Sequence, residues 1–162
     1  SVIAVQKDLA PQIDAAIAIA RSAEEAVRDS DLVVTATTAK EPIMKFDWLK
    51  SGAHINAVGS HRPDLREIDG ATMAGAKVIV DSREAVMAEC GDILLALKEN
   101  SISESQIHGE IGEVLAQMKT GRTRRGEVTL YKSVGIAIQD VAAANLVYRT
   151  ALQKGIGAHV EI

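Results

Sequence analysis

Aromatic residues are the scarcest component of this sequence, at 2% of its 162 residues. A core with so few rings must consist of Ala, Val, Ile and Leu, a composition typical of parallel sheets covered by helices. The same scarcity argues against a nucleic-acid surface, since such surfaces stack bases on aromatic platforms. The net charge of −4 also leaves no basic footprint for DNA or RNA. We therefore expect no nucleic-acid partner.

Cysteine is almost absent as well, because Cys90 is the only one in the chain. A single cysteine excludes an intrachain disulfide and favours a reducing compartment, so we expect a cytoplasmic protein. The carboxylates of Glu89 and Asp92 are close to Cys90 in sequence and disfavour its thiolate. We do not expect Cys90 to act as a nucleophile.

Long apolar runs and metal-binding spacings are missing too. No apolar run approaches the roughly 18–20 residues that a membrane-spanning helix needs, so we expect no membrane partner. The four histidines lack the paired spacing of zinc ligands, and we therefore expect no metal site. They are His54, His61, His108 and His159.

The region from Asp31 to Asp69 carries the strongest positive signal. It predicts two apolar strands, Asp31–Thr37 and Ala53–Val58, of which the first ends in threonines and the second is followed by Gly59. Ligands of open α/β sheets bind outside the carboxyl ends of the strands, where small polar residues leave room for them. We therefore expect a ligand crevice where these two strands end.

Strand and helix patterns alternate along the rest of the chain, which predicts an α/β fold with a doubly wound parallel sheet. Ser22 and Glu25 form a potential capping box for a short helix that reaches about Arg28. The other predicted elements are strands at Ile17–Ala20, Lys77–Asp81 and Val128–Tyr131, and helices at Phe46–Lys50, Ser82–Glu89, Ile107–Gly121 and Val134–Gln153.

The last predicted helix is apolar nearly all round. Helices of this kind lie either between layers of a core or at a contact between subunits, and the sequence leaves both interpretations open. A Rossmann-type sheet should also carry a phosphate-binding GxGxxG loop, which these 162 residues lack.

The predicted strands also bear on how much of the fold the chain contains. The four strands predicted before residue 82 correspond to the third to sixth strands of the 3-2-1-4-5-6 order. The strand Asp31–Thr37 would then present an unpaired apolar edge. We expect the chain to be the C-terminal part of a longer protein.

Five motifs in order along the chain resemble the ornithine cyclodeaminase/mu-crystallin family. The sequence around Ser60–Glu67 is more similar to the mu-crystallin-like ketimine reductases than to true cyclodeaminases. The motifs are TATTAKEPI (Thr35–Ile43), GAHINAVGSHRPDLREID (Gly52–Asp69), VIVDSREA (Val78–Ala85), GEIGEVLAQMKTGR (Gly109–Arg122) and LYKSVGIAIQD (Leu130–Asp140).

The resemblance implies a cofactor and a domain organisation. Family members bind NAD or NADP in a Rossmann domain and are typically homodimers. Residues 1–106 would be the second half of that nucleotide-binding domain. Residues 107–162 would complete it and contribute, with the long apolar helix, to a dimerisation and substrate domain. The choice between NAD and NADP stays open, since it depends on residues after a strand that this sequence does not contain.

The resemblance also assigns cofactor-binding positions. Small residues would let the backbone approach the ligand, and threonine hydroxyls offer donors, although strand-end hydrogen bonding is the alternative for the threonines. Lys132 and Gly135 flank two of these positions, Ser133 and Val134. The positions are Thr35, Ala36, Thr37 and Thr38 beside the nucleotide, Val58 and Gly59 near the nicotinamide, and Ser133 and Val134 approaching from the other domain.

His61 occupies the position where cyclodeaminases carry a catalytic aspartate. A histidine can exchange protons near neutral pH but cannot supply a fixed negative charge. The resemblance therefore makes His61 the candidate catalytic proton donor. The alternatives are that His61 is an exposed loop histidine, or that a residue outside this sequence supplies the proton. Arg62 and Glu89 match substrate-pocket positions of the mu-crystallin type, and Arg62 could clamp a carboxylate. Arg66 and Glu67 are adjacent and could simply pair with each other.

Three functions follow from the resemblance. The first is an NAD(P)H-dependent reductase of cyclic imino acids, or the reverse amino-acid dehydrogenase, with hydride transfer to a C=N carbon. The second is an ornithine cyclodeaminase that releases ammonia and recycles bound NAD. The third is a non-catalytic ligand-binding or self-associating protein. The missing glycine loop favours this third function.

Overall fold

The computed structural model describes residues 2–158 and 160. Within these residues, five strands form one sheet in which every neighbouring pair is parallel. The strands are β1 Leu32–Thr35, β2 His54–Ala57, β3 Lys77–Val80, β4 Ile107–Glu110 and β5 Thr129–Lys132. Their order across the sheet is β1-β2-β5-β3-β4, so β5 lies in the centre although it comes last in the chain.

Seven α-helices and two short 3₁₀ turns precede, connect or follow the strands in this part of the chain. The 3₁₀ turns span Phe46–Trp48 and Glu104–Gln106. The helices are α1 Val2–Leu9, α2 Ala23–Val27, α3 Gly70–Gly75, α4 Arg83–Glu89, α5 Gly91–Lys98, α6 Ile111–Leu115 and α7 Ala137–Lys154.

One face of the sheet forms the core. Ile55, Leu130 and Val78 are neighbours in the parallel register, and each is fully buried. The same aliphatic cluster contains Met73 of α3, Val86 of α4, and Ile93 and Ala96 of α5. These helices therefore cover this face, as the shortage of aromatic residues led us to expect.

The opposite face is covered less completely. α6 lies over part of it, where Ile111 and Val114 line a cavity of about 400 Å³ together with Ile79 and Tyr131. Helices thus lie on both sides of a parallel sheet, and the predicted α/β fold is confirmed. In the described residues β1 pairs with β2 alone and is an edge strand.

Side-chain caps set the starts of three helices. The hydroxyl of Ser22 accepts from the Glu25 amide at 3.1 Å, and the Glu25 carboxylate accepts from the Arg21 amide in return. Asp69 and Ser82 cap α3 and α4 in the same way. Such caps satisfy amides that have no partner within the helix, and each contributes about 1 kcal/mol.

Two sequence predictions fail, one of a strand and one of the start of a helix. Ile17–Ala20 forms no strand, so three strands rather than four precede residue 82. Ile107–Glu110 is the edge strand β4, whereas we predicted that a helix begins at Ile107. Burial alternates along β4, which is the period of a strand packed beside β3, and the helical pattern holds only from Ile111 onward.

The sequence predicts a helix that ends at Glu89 and misses the next helix, α5. Gly91 is the first residue of α5. A Cβ at this position would overlap the carbonyl oxygens of Leu65 and Arg62, so glycine serves close packing here rather than termination.

The long helix α7 has no buried residue. Among its apolar side chains Ile138, Val141, Leu146 and Leu152 are all exposed. The buried-core interpretation is therefore wrong for this structure, which leaves the contact between subunits as a prediction. No helix in the described part of the chain is long and apolar enough to cross a membrane.

Candidate functional site: a cleft at the carboxyl ends of the strands

An open cleft of about 550 Å³ lies beyond the ends of β1 and β2. Small side chains form most of its lining, so the backbone itself is accessible to a ligand. Six residues predicted as site residues line it: Ala36, Thr37, Thr38, Val58, Gly59 and His61.

A buried carboxylate, that of Glu67, holds the two sides of this cleft together. One oxygen, Oε2, accepts from the Thr35 hydroxyl at 2.9 Å and from the Gly59 amide at 2.9 Å. The other, Oε1, accepts from the Thr37 amide at 2.5 Å. Because Thr35 and Thr37 belong to the β1 end and Gly59 follows β2, one side chain fixes both loops.

Gly59 is required here by space. A Cβ at this position would overlap the Thr37 backbone and a carboxylate oxygen of Glu67. The loop after β2 can therefore approach the loop after β1 closely only if residue 59 has no side chain. This close approach is the physical reason for the predicted glycine.

A buried ion pair lies behind Glu67. The ammonium of Lys132, at the end of β5, is 3.1 Å from Oδ2 of Asp92, and both side chains are fully buried. The pair has the separation of an ion pair without the angles of a hydrogen bond. Asp92 Oδ1 accepts from the amides of Glu67 at 2.7 Å and Ile68 at 2.9 Å. The pair thereby anchors the backbone of Glu67.

A third carboxylate, that of Asp81, fixes the loop after β5. Its Oδ2 accepts from the Ser133 hydroxyl at 2.8 Å and from the amides of Val134 at 2.8 Å and Gly135 at 2.9 Å. Gly135 has a φ of +85°, a conformation that favours glycine. Ser133 and Val134 are thus oriented by Asp81.

Thr35 differs from the other predicted nucleotide residues. Its side chain is buried, and its hydroxyl donates to Glu67 instead of lining the cleft. This is the strand-end hydrogen bonding that the sequence left open for the threonines. Its direct contact with a nucleotide stays a prediction.

His61 lines the cleft, and its ring is held by the backbone. Nδ1 lies 3.0 Å from the carbonyl oxygen of Gly59. Since a carbonyl can only accept, this bond places a hydrogen on Nδ1 and leaves Nε2 to exchange protons. The ring is exposed, so a substrate in the cleft can reach it.

The two predicted substrate residues are not part of the cleft lining. Arg62 makes two bonds to the carboxylate of Asp64, each of 3.0 Å. Glu89 is exposed at the end of α4. Their roles toward a substrate stay predictions.

Arg66 and Glu67 do not pair with each other, contrary to the sequence interpretation. Arg66 instead forms two bonds to the carboxylate of Glu99, of 2.5 and 2.8 Å. These bonds lower the pKa of Glu99 and raise the pKa of Arg66. Glu67 remains free to bind the cleft loops.

Sequence reasoning missed the three carboxylates that hold the loops at the strand ends, namely those of Glu67, Asp81 and Asp92. Ser133 and Val134, which Asp81 holds, do not line the cleft. Asp81 directly follows an apolar strand, which is a recognisable signal. The partners of Glu67 and Asp92 lie more than 20 residues away, with one exception at Gly59, and no local pattern marks them. Between residues 2 and 158, and at residue 160, no group of three or more His, Cys, Asp or Glu residues could hold a metal ion.

A parallel sheet with helices on both sides and a cleft of small residues at its strand ends defines an α/β protein of the Rossmann type. Comparison with known proteins identifies the family. Residues 4–155 match the model of the ornithine cyclodeaminase/mu-crystallin family, and the chain belongs to that family.

Relatives and solved structures support this assignment. Mouse ketimine reductase mu-crystallin is 44% identical over 132 residues, which are 82% of this chain and 39% of the relative. The structure of Thermococcus litoralis Delta(1)-pyrroline-2-carboxylate reductase in complex with NADH and L-proline matches with a TM-score of 0.92 and 42% identity, covering 98% of this chain and 49% of that chain.

An archaeal alanine dehydrogenase dimer with bound NAD matches with a TM-score of 0.81 and 37% identity, covering 99% of this chain and 48% of that chain. The chain thus spans less than half the length of these proteins.

Proposed function

We propose that the protein to which this chain belongs is an NAD(P)H-dependent reductase of cyclic imino acids, which also runs in reverse as an amino-acid dehydrogenase. One observation carries the proposal: six predicted site residues line one cleft at the carboxyl ends of β1 and β2. The relative crystallised with NADH and L-proline supports this substrate class.

The residues of the cleft fit one side of a dinucleotide. Ala36 and Gly59 leave the backbone open, and Thr37 and Thr38 offer hydroxyl groups for polar parts of the ligand. When bound, NAD(P)H supplies the hydride for the imine carbon. The chain's own residues would hold and orient the cofactor beside His61.

His61 would supply the proton for the imine nitrogen. The Gly59 carbonyl fixes Nδ1, so Nε2 is the atom that gives or takes the proton. A donor whose ordinary pKa is close to neutrality suits both directions of the reaction. Arg62 and Glu89 are proposed as substrate contacts that require a rearrangement of the exposed Arg62–Asp64 pair.

We further propose a homodimer and a cytoplasmic location. The exposed apolar side chains of α7 support self-association, and the buried thiol of Cys90 suits a reducing compartment.

The domain division at residue 106 also remains a proposal. In it, β4 and β5 complete the nucleotide-binding sheet and α7 belongs to a second domain.

The test begins with fluorescence titration of the purified chain with NADH and NADPH. Binding by the chain is expected. NADH oxidation in the presence of a five- or six-membered cyclic imino acid is expected of the full-length protein that contains this chain, which should be assayed in parallel. Absence of turnover with every such substrate in that protein would refute the reductase. Ammonia release from ornithine without net cofactor reduction would indicate a cyclodeaminase instead.

A further inference from the structure

The buried carboxylate of Glu67 has no part in the proton transfer described above, yet it connects the end of β1 to the loop after β2. All three of its partners donate to it: the Thr35 hydroxyl, the Thr37 amide and the Gly59 amide. They belong to two loops that are separate in sequence. The Glu67 side chain is fully buried, so water does not compete for these bonds.

Glu67 is itself held from behind. Asp92 accepts from the Glu67 amide at 2.7 Å, and Lys132 lies 3.1 Å from the other Asp92 oxygen. The connected groups therefore reach from the end of β1 through the end of β2 to the end of β5. Burying three charged groups is costly compared with apolar packing, so stability alone is a weak reason for them.

We propose that Glu67 is a positioning residue for the dinucleotide. Its carboxylate holds the backbone of Thr37 and Gly59 in the separation that admits the cofactor, and Asp92 with Lys132 fixes the carboxylate in place. The inference rests on the proposed function and deepens it, because it assigns how the nucleotide side of the cleft is shaped before any ligand binds.

The experiment compares Glu67→Gln and Glu67→Asp with the wild-type chain. The amide of glutamine turns a donor toward a backbone N–H or a hydroxyl, and aspartate is one methylene too short to span both loops. Each variant is expected to raise the Kd for NADH at least about tenfold, measured on folded protein. Glu99→Gln serves as the control, since it removes an ion pair outside the cleft and should leave the Kd unchanged.

Amide hydrogen exchange supplies a readout that does not depend on activity and that is already informative in the wild type. In the free wild-type chain the amides of Thr37 and Gly59 should exchange slowly although they lie in loops, and faster in Glu67→Gln. Fast exchange of both amides in the wild type overturns the inference even if the variants fail to fold. An unchanged Kd in folded Glu67→Gln overturns it while the proposed function stands. Failure of the wild-type chain to bind NADH overturns the inference for this chain, whereas absence of turnover in the full-length protein refutes the proposed function.

Discussion

At the residue scale, three carboxylates hold the loops at the strand ends, and Gly59 determines how closely the two sides of the cleft approach. Glu67 spans the loops after β1 and β2, Asp81 orients the loop after β5, and Asp92 supports Glu67. Gly59 lies where any side chain would meet both Thr37 and Glu67. The form of the cleft therefore depends on Glu67 and Asp92, which do not line it.

Gly59→Ala is expected to weaken NADH binding at least about tenfold, because the added methyl group forces the β1 and β2 loops apart. Fluorescence titration measures the change. Gly112→Ala is the matched control, since a Cβ there meets open space and alanine favours a helix. Equal affinities of both variants would contradict the role given to Gly59.

Cys90 should be inert toward thiol reagents in the native protein. Burial is the main cause that raises its pKa to about 12, with the Asp92 carboxylate adding to the effect and the Lys132 ammonium opposing it. At about pH 8 its thiolate is therefore nearly absent, and access is closed. A colorimetric thiol assay should show slow labelling that becomes fast in denaturant. Fast native labelling would contradict this.

The Arg66–Glu99 pair should give stability that depends on pH. Hydrogen bonding to Arg66 lowers the pKa of Glu99 below its ordinary value of 4.5. A lowered folded pKa means that the stabilisation is present above pH 4.5 and is lost as the pH falls through the folded value. The free energy of unfolding, measured in urea, should differ between the wild type and Glu99→Gln near neutral pH, and the two values should converge in acid. The control Glu84→Gln removes a carboxylate on the exposed face of α4, and its difference from the wild type in the free energy of unfolding should not shrink in acid.

At the element scale, the apolar runs predict four of the five strands, including the edge strand β1. The structure gives shorter bounds for β1, β2 and β3 and moves β5 by one residue. The other edge strand, β4, resembles a helix in sequence because polar residues surround Gly109, and only pairing with β3 selects the strand. A propensity is a weak preference, and tertiary pairing overrides it at a sheet edge.

Asp81→Asn should loosen the connection between the end of β3 and the loop after β5. An amide has one acceptor oxygen, so it cannot replace both carboxylate oxygens, which together accept from four donors. We expect a loss of about 1–3 kcal/mol in the free energy of unfolding, and faster amide exchange at Val134 and Gly135. Asp64→Asn, which breaks an exposed pair, should cost less than about 1 kcal/mol.

At the scale of the whole molecule, apolar surface is distributed unevenly. The face of the sheet beneath α3, α4 and α5 is closed, whereas α7 exposes apolar side chains along its length. Exposed apolar surface of this extent marks an interaction site in a soluble protein. The proposed homodimer is the partner that we expect to cover it.

Leu146→Glu should lower self-association without changing the fold, because Leu146 is 67% exposed in the single chain. Sedimentation equilibrium measures the dimer constant, and circular dichroism checks that the helix persists. Gln153→Glu introduces the same charge at a polar position of α7 and is the control. If Leu146→Glu associates as strongly as the wild type, α7 is not the dimer contact.

The family, the parallel α/β class, four of the five strands and the small residues that line the cleft can all be predicted from the sequence. They depend on local periodicity and on contiguous motifs, which are visible along the chain. The edge strand β4, the helix α5 and the carboxylate network depend instead on contacts between distant parts of the chain. Glu67 bonds to Thr35 across 32 positions, and Asp92 to Glu67 across 25. Such contacts exist only after the strand order brings the carboxyl ends of β1, β2 and β5 together.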